Sequence, residues 1–195
     1  MTLPDFSAAW GAAALAYALA SRLAYVLFVG IALRRQERDA FYVRRWGVEG
    51  GFRRFRRIAS VVMTNDVAAF ALLCVVTHGT LAVGVPRGLE LAVGWVLVIV
   101  GIGVKVWAAA TLGGRPYYWY NFFSPSGPQV AVKLAGPYRL LKNPMYTVGY
   151  LQAYGFALVM ASLPGLVAAV FAQAAILTFY YAVERPHFLR LNGNR

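Results

Sequence analysis

The chain has 195 residues, of which 60% are hydrophobic and only 13% are charged. Water-soluble globular domains carry about 25% charged residues, so this composition excludes an ordinary soluble domain and predicts an integral membrane protein. The net charge is +12, and the single cysteine excludes an intrachain disulfide.

Five long apolar runs predict membrane-spanning helices. A span needs about 20 apolar residues to cross roughly 30 Å of hydrocarbon. The last two runs are separated by Ser-Leu-Pro-Gly, which is a turn signal and predicts a helical hairpin. The sequence therefore predicts an all-α integral membrane protein with about five transmembrane helices, the last two forming the hairpin. The five runs are 7–33, 58–77, 89–112, 144–162 and 165–183.

The charged residues are concentrated in three segments. Nine arginines and three acidic residues lie within 34–57, four basic residues lie within 113–143, and three arginines follow residue 184. Because short basic loops remain in the cytoplasm, we expect the N-terminus outside and the C-terminus in the cytoplasm. The arginine-rich loop 34–57 is expected to contact anionic lipid headgroups rather than nucleic acid. The alanine- and arginine-rich composition suits a GC-rich bacterium, so the bacterial inner membrane is the expected location.

A few polar residues and glycines inside the predicted spans are candidates for structural or functional roles. Asp66 and Lys105 each lie about 12 Å from the cytoplasmic end at 1.5 Å per residue, which predicts an ion pair, with Arg22 as another partner for Asp66. Such a pair is either structural or part of a ligand site. Gly101 and Gly103 permit either close helix packing or the approach of a nucleotide to the backbone.

A polar cluster, Lys-Asn-Pro-Met-Tyr at residues 142–146, stands at the start of the fourth run. Pro144 suits the first turn of a helix, and Asn143 suits its N-cap. Because a hairpin brings its two ends to the same membrane face, this cluster should meet the end of the fifth run. The side chains that we expect to line one polar pocket there are Tyr138, Asn143, Tyr146, Glu184 and His187.

At these residues the chain resembles the membrane-embedded methyltransferases that include phospholipid N-methyltransferases and isoprenylcysteine carboxyl methyltransferases. The family pattern joins a Gly-Pro-Tyr turn, a basic residue, His or Asn, Pro, a variable residue and Tyr, followed by a glycine and a later glutamate. The Asn-Pro-Met-Tyr sequence and residues 154–166 resemble the phosphatidylethanolamine branch, and the resemblance covers residues 107–195. The pattern residues here are Gly136, Pro137, Tyr138, Lys142, Asn143, Pro144, Tyr146, Gly149 and Glu184.

Two positions depart from the family pattern. The last span of the family usually ends in two consecutive glutamates, and the first of these is Val183 here. The histidine of the carboxyl-methylating branch is replaced by Asn143, which argues against isoprenylcysteine as the substrate.

The resemblance implies S-adenosylmethionine as the methyl donor, whose in-line transfer needs no metal. It divides a single membrane domain, 1–195, into a three-span scaffold, 1–112, and a cofactor- and substrate-binding core, 113–195. The expected catalytic residues are Tyr146, Glu184 and His187, with Glu184 or His187 as the candidate proton acceptor. The expected cofactor-binding residues are Gly101, Gly103, Val130, Lys133, Gly136, Tyr138, Asn143, Pro144, Met145, Tyr146, Glu184 and Arg185.

The aromatic segment after the third run is a candidate for substrate binding. Aromatic faces stabilise sulfonium or methylated ammonium cations by about 0.5–2 kcal/mol each, although the same residue types also form interfacial aromatic belts. Arg115 is expected to pair with a lipid phosphate. The expected substrate-binding residues are Arg115, Tyr117, Tyr118, Trp119 and Tyr120.

Three functional hypotheses follow. The first is methylation of the amine of an ethanolamine phospholipid. The second is methylation of another acceptor, such as a carboxylate or a thiol, on the same scaffold. The third is a non-catalytic membrane protein that uses the pocket for lipid binding or subunit contact. The sequence leaves the oligomeric state open.

Overall fold

This computed structural model describes residues 6–124 and 135–193, so the predicted cofactor contacts Val130 and Lys133 lie outside the described residues. The described residues form helices and no strand. The α-helices are α1 (Phe6–Asp39), α2 (Phe41–Val76), α3 (Arg87–Leu112), α4 (Gly114–Tyr117), α5 (Leu151–Val159), α6 (Leu163–Phe179) and α7 (Arg185–Gly193).

Among the described residues, four helical stretches are long and apolar enough to cross a membrane, which confirms the all-α membrane class. They are Ala9–Asp39, Phe41–Val76, Arg87–Leu112 and Leu163–Leu191, the last of which joins α6 to α7. The predicted fourth span is a shorter apolar helix, Val148–Val159. It begins later than expected because residues 144–147 form turns, in which Gly149 donates to the Pro144 carbonyl at 2.8 Å.

The arginine-rich segment 34–57 is helical apart from Ala40 and a kink at Gly47, where φ is 67°, rather than the loop expected from sequence. α1 and α2 are separated only by Ala40, which adopts a left-handed conformation with φ of 49°. The buried Gln36 side chain caps the new helix, since its Oε1 accepts from the Tyr42 amide at 2.9 Å. Farther along α2, Phe52 and Phe55 are buried in the core while the neighbouring arginines are exposed.

The described parts of the three basic segments lie at one end of the helical bundle, which we call the basic end. Arg115 pairs with Glu49 at 2.9 Å, and Arg190 pairs with Glu37 at 2.7 Å. At the opposite end, the connection between α2 and α3 contacts the α5–α6 turn, where Leu81 donates to the Ala161 carbonyl at 2.7 Å. The clustering of charge expected from the sequence is therefore a property of the folded bundle.

Asp66 within α2 pairs with Arg22 of α1 at 2.6 Å. Lys105, the partner favoured by depth alone, instead lies over the Tyr150 ring, with its ammonium 5.2 Å from the ring centroid. The depth of two residues in the membrane does not determine whether the helix faces that carry them meet. Because α1 packs against α2, Arg22 is the partner of Asp66.

Helices α3 and α5 pack closely through glycines. A Cβ atom at Gly101 would overlap the backbone nitrogen of Gln152, whereas a Cβ at Gly103 would meet no heavy atom within 4 Å. Gly101 therefore serves helix packing, and neither glycine lies where the cofactor was expected.

This difference makes the two glycines a matched pair for mutation. Gly101→Ala should lower the free energy of unfolding by about 1–3 kcal/mol because the added methyl group over-packs the interface with α5. Gly103→Ala should be neutral or slightly stabilising, since alanine is favoured over glycine in a helix by about 0.5–1 kcal/mol. Thermal unfolding of the purified variants in detergent measures both. Equal melting temperatures would contradict the assigned packing.

Candidate active site

A cavity with a volume of about 290 Å³ lies at the basic end. It is bounded by the connection after α3, the turn before α5 and the helix that runs from α6 into α7. The sequence-predicted residues that line it are Tyr117, Trp119, Tyr138, Asn143, Met145, Tyr146, Glu184 and Arg185.

Glu184 is positioned by an irregular turn between α6 and α7. Residues Tyr180–Glu184 form a π-helical turn, in which the Arg185 amide bonds to the Tyr180 carbonyl. Pro186 lacks the N–H that would bond to the Ala182 carbonyl in a regular helix; Arg34 of α1 donates to that carbonyl at 3.1 Å instead. π-helical turns of this kind occur frequently at functional sites.

The Glu184 carboxylate holds two segments together. Its Oε1 accepts hydrogen bonds from the Tyr146 hydroxyl at 2.7 Å and from the Trp119 indole N–H. Glu184 is 7% exposed, so these donors stabilise a carboxylate that has little access to water. Burial, together with the nearby Glu184 carboxylate, raises the pKa of Tyr146 well above its ordinary value, so the hydroxyl remains protonated and donates.

Trp119 has a backbone conformation that is rare for a bulky residue, with φ of 56°. Its ring packs edge-on between Phe55 and Phe179, at centroid distances of 6.3 and 5.6 Å. Uncommon backbone conformations of this kind persist where the surrounding structure enforces them and are common at active sites. Packing thus aims the indole N–H at Glu184.

The motif turns bring Tyr138 and Asn143 to the same wall. Asn143 acts as a capping residue, as predicted, since its Oδ1 accepts a hydrogen bond from the Tyr146 amide at 3.4 Å. The segment that it caps is a turn that precedes the regular helix, rather than the helix itself. Gly136 has φ of 52°, and a Cβ there would overlap the Thr111 hydroxyl, so this glycine docks the turn against α3. Burial, and secondarily Glu184, raises the pKa of Tyr138.

His187 does not line the cavity, contrary to the sequence expectation. Its ring stacks on Phe122 at a centroid distance of 3.7 Å, and its Nδ1 lies 2.7 Å from Glu37 Oε1. Glu37 also pairs with Arg190. The π-helical turn and α7 direct His187 toward Glu37 of α1.

Several other predicted contacts also lie away from the cavity. Arg115 and Tyr120 both bind Glu49, at 2.9 and 2.7 Å, rather than pointing at a ligand. Arg56 lies over the Tyr118 ring, 5.1 Å from its centroid. Pro144 is fully buried beneath the motif turn. The predicted residues outside the lining are Gly101, Gly103, Gly136, Pro144, His187, Arg115, Tyr118 and Tyr120.

The structure adds lining residues that were not proposed as site residues from the sequence. Tyr180 and Phe188 lie four residues before and after Glu184, so helical spacing about Glu184 would have indicated them. Asn121 is 3% exposed and its amide nitrogen has no hydrogen-bond partner among the described residues; no sequence signal pointed to it. The added residues are Leu112, Pro116, Asn121, Lys142, Tyr180, Phe188 and Leu189.

Comparisons with known proteins identify phospholipid methyltransferases as similar to this chain. The family model for phospholipid methyltransferase matches residues 89–195. The chain is similar to phosphatidylethanolamine N-methyltransferase of Clavispora lusitaniae, with 30% identity over 71% of this chain and 17% of the relative. The corresponding protein of Talaromyces marneffei is 31% identical over 70% of this chain and 14% of the relative. That of Candida tropicalis is 26% identical over 83% and 20%.

The chain therefore spans a fifth or less of the length of these three curated relatives. No solved structure matches the chain. The matched region contains the Gly-Pro-Tyr turn, the Asn-Pro-Met-Tyr motif and Glu184, which are the segments that meet at the cavity. The chain belongs to the phospholipid methyltransferase family.

Proposed function

We propose that this protein transfers a methyl group from S-adenosylmethionine to the amine of an ethanolamine phospholipid. The observation that carries the proposal is the Glu184 carboxylate, held by Tyr146 and Trp119 at the wall of an aromatic-lined cavity. Membership of the phospholipid methyltransferase family and the names of the relatives support the reaction class.

The cavity residues fit this cofactor in chemistry and approximate size. Small-molecule sites usually measure about 300–1,000 Å³, and the volume of about 290 Å³ is close to that lower bound. Tyr117, Tyr138 and Tyr180 line the cavity, and their aromatic rings would attract a cation. When bound, S-adenosylmethionine would supply a methyl group carried on a positively charged sulfur.

The residues of the site would act chiefly by positioning, since an in-line transfer depends on holding two reactants in alignment. No hydrogen bond from the described residues reaches Glu184 Oε2, which leaves this oxygen for ribose hydroxyls or a cationic group. Asn143 and Arg185 would hold other polar parts of the cofactor. The aromatic walls would exclude water from the reacting atoms.

The lipid amine must lose a proton before it can attack. Glu184 and His187 were both candidates to accept it, but only Glu184 lines the cavity, because His187 is enclosed by Phe122 and Glu37. We therefore assign proton acceptance to Glu184, with Tyr146 orienting the carboxylate.

The proposal extends to the arrangement in the membrane. The basic end faces the cytoplasm by the positive-inside rule; with Val148–Val159 as a short fourth crossing, the N-terminus is outside. The exposed arginines of α2 contact anionic headgroups. The cavity lining lies within 112–189, which supports 113–195 as the cofactor core on a 1–112 scaffold. A bacterial inner membrane remains the expected location, whereas the relatives named above are fungal.

The function is tested with the purified 195-residue chain, radiolabelled S-adenosylmethionine and bacterial lipids. Label in mono- and dimethylated ethanolamine phospholipids is the expected result. Label in another acceptor would support the same scaffold with a different substrate. Failure to bind S-adenosylmethionine would leave a non-catalytic lipid-binding or subunit-contact role.

Tyr146→Phe should weaken binding of S-adenosylmethionine by about tenfold, because a hydrogen bond to a charged group contributes about 1.5–3 kcal/mol. The matched control is Tyr154→Phe, whose hydroxyl donates to Gln173 and lies outside the cavity lining. Isothermal titration with both variants in detergent measures the effect. Equal affinities for the two variants would show that the pocket is misplaced.

Glu184→Gln should weaken cofactor binding and abolish methyl transfer while the bundle remains assembled, since the amide keeps the shape but loses the charge. His187→Gln should instead lower the free energy of unfolding by about 1–3 kcal/mol through loss of the contact with Glu37, and leave cofactor affinity unchanged. Titration, transfer assays and thermal unfolding separate the two outcomes. A cofactor-binding defect confined to His187→Gln would reverse the assignment.

A further inference from the structure

A second cavity of about 130 Å³ lies beside the main cavity, deeper among the helices. The two cavities share part of their walls, because Tyr117, Trp119, Met145 and Tyr146 line both. The second cavity is also lined by three charged residues from three different helices. They are Arg22, Asp66 and Lys105.

These three charges do not neutralise one another. Arg22 and Asp66 form an ion pair at 2.6 Å, with side chains 13% and 6% exposed. Among the described residues no carboxylate lies within ion-pair distance of the Lys105 ammonium, which instead lies over the Tyr150 ring. Arg22 also keeps a buried Nε that has no hydrogen-bond partner in the described part of the chain. The cavity thus carries one excess positive charge and an unused donor within apolar helices.

The two cations face the same aromatic ring. The Arg22 guanidinium and the Lys105 ammonium lie 5.9 and 5.2 Å from the Tyr150 centroid. The Lys105 stem runs against Gly149, where a Cβ atom would lie 2.8 Å from Lys105 Cγ. The glycine of the family motif therefore provides the space that lets Lys105 reach the cavity.

An uncompensated cation within membrane-spanning helices is costly and marks a functional site by default. A monovalent phosphodiester would neutralise the excess charge, and both lysine and arginine bind phosphate oxygens. We propose that the second cavity binds the phosphodiester of the acceptor phospholipid through Lys105 and Arg22.

This inference rests on the proposed function, and it identifies the part of the active site that would bind the acceptor lipid. An ethanolamine phospholipid carries its amine two carbons beyond the phosphodiester. Anchoring of the phosphate beside Lys105 directs the amine toward the shared wall of Tyr146 and Trp119, which hold Glu184. Asp66 pairs with Arg22 and so holds the guanidinium in position. Its negative charge would repel an anion with more charge than the monovalent phosphodiester.

The test measures binding of dihexanoyl phosphatidylethanolamine, a short-chain phospholipid, to the purified 195-residue chain by isothermal titration. Lys105→Met is expected to weaken this binding by at least about tenfold and to leave S-adenosylmethionine binding within about twofold. Lys105→Arg, which retains the cation, should recover most of the lipid affinity. Arg139→Met is the control, since it removes an exposed cation that lies outside segment 34–57 and outside the lining of both cavities. Unchanged lipid affinity in Lys105→Met would overturn the proposal.

A ligand series on the unmodified chain decides the question even if Lys105→Met fails to fold. Dihexanoylglycerol, which lacks the phosphodiester, is expected to bind at least about tenfold more weakly than the phospholipid. Equal binding of the two lipids would overturn the proposal. Inorganic phosphate that bound as tightly as the phospholipid would identify a free-anion site and would also overturn it.

The outcomes separate this inference from the proposed function. If no methyl group is transferred while phospholipid binding still depends on Lys105, the subsite stands and the proposed function fails. If transfer proceeds and Lys105→Met leaves the KM for phospholipid unchanged, the function stands and the subsite fails.

Discussion

The arrangement of the site depends on the hydrogen bonds that the Glu184 carboxylate accepts. Its two donors, Tyr146 and Trp119, come from the turn before α5 and the connection after α3, and both lie outside regular α-helix. Within each segment the backbone forms turn hydrogen bonds, such as those from the Trp119 amide to the Pro116 carbonyl at 3.0 Å and from the Thr147 amide to the Asn143 carbonyl at 3.1 Å, and Glu184 joins the two segments. A carboxylate with little access to water requires donors, so the same interaction stabilises the charge and fixes the cavity wall.

The two neighbouring cavities differ in charge. The larger one presents the Glu184 carboxylate together with aromatic faces, an environment that favours a cation. The smaller one carries the excess charge of Lys105 beside the Arg22–Asp66 pair, an environment that favours an anion. A cationic methyl donor and the phosphodiester of the acceptor would therefore bind in adjacent cavities whose linings share Tyr146 and Trp119.

The scaffold helices contribute directly to the geometry of the carboxy-terminal core. Arg34 of α1 donates to the Ala182 carbonyl, which Pro186 leaves without its usual helical donor. Glu37 of the same helix contacts His187 and Arg190. These contacts hold the helix on both sides of Glu184, so the carboxylate is oriented by residues far away in sequence. The family motif alone therefore does not build the site.

The motif residues were identifiable before the fold because their chemistry is local. Proline and asparagine favour a turn or a helix start by their own backbone preferences, and the hairpin brings Tyr146 to Glu184 by simple connectivity. The orientation of His187 was not identifiable, because a π-helical turn of one extra residue rotates everything that follows it. The same limit applies to Arg115 and Tyr120, whose shared partner Glu49 lies on a different helix.

By itself the sequence determined the membrane class, the concentration of positive charge and the pairing of the Asn-Pro-Met-Tyr motif with Glu184. Hydrophobic length, charge and local turn preference are properties of the chain that need no packing partner. Only the tertiary structure decided that Asp66 pairs with Arg22, that Gly101 packs against α5 and that Lys105 reaches a second cavity. Those outcomes depend on which helix faces meet, and periodicity along one helix does not specify its neighbour.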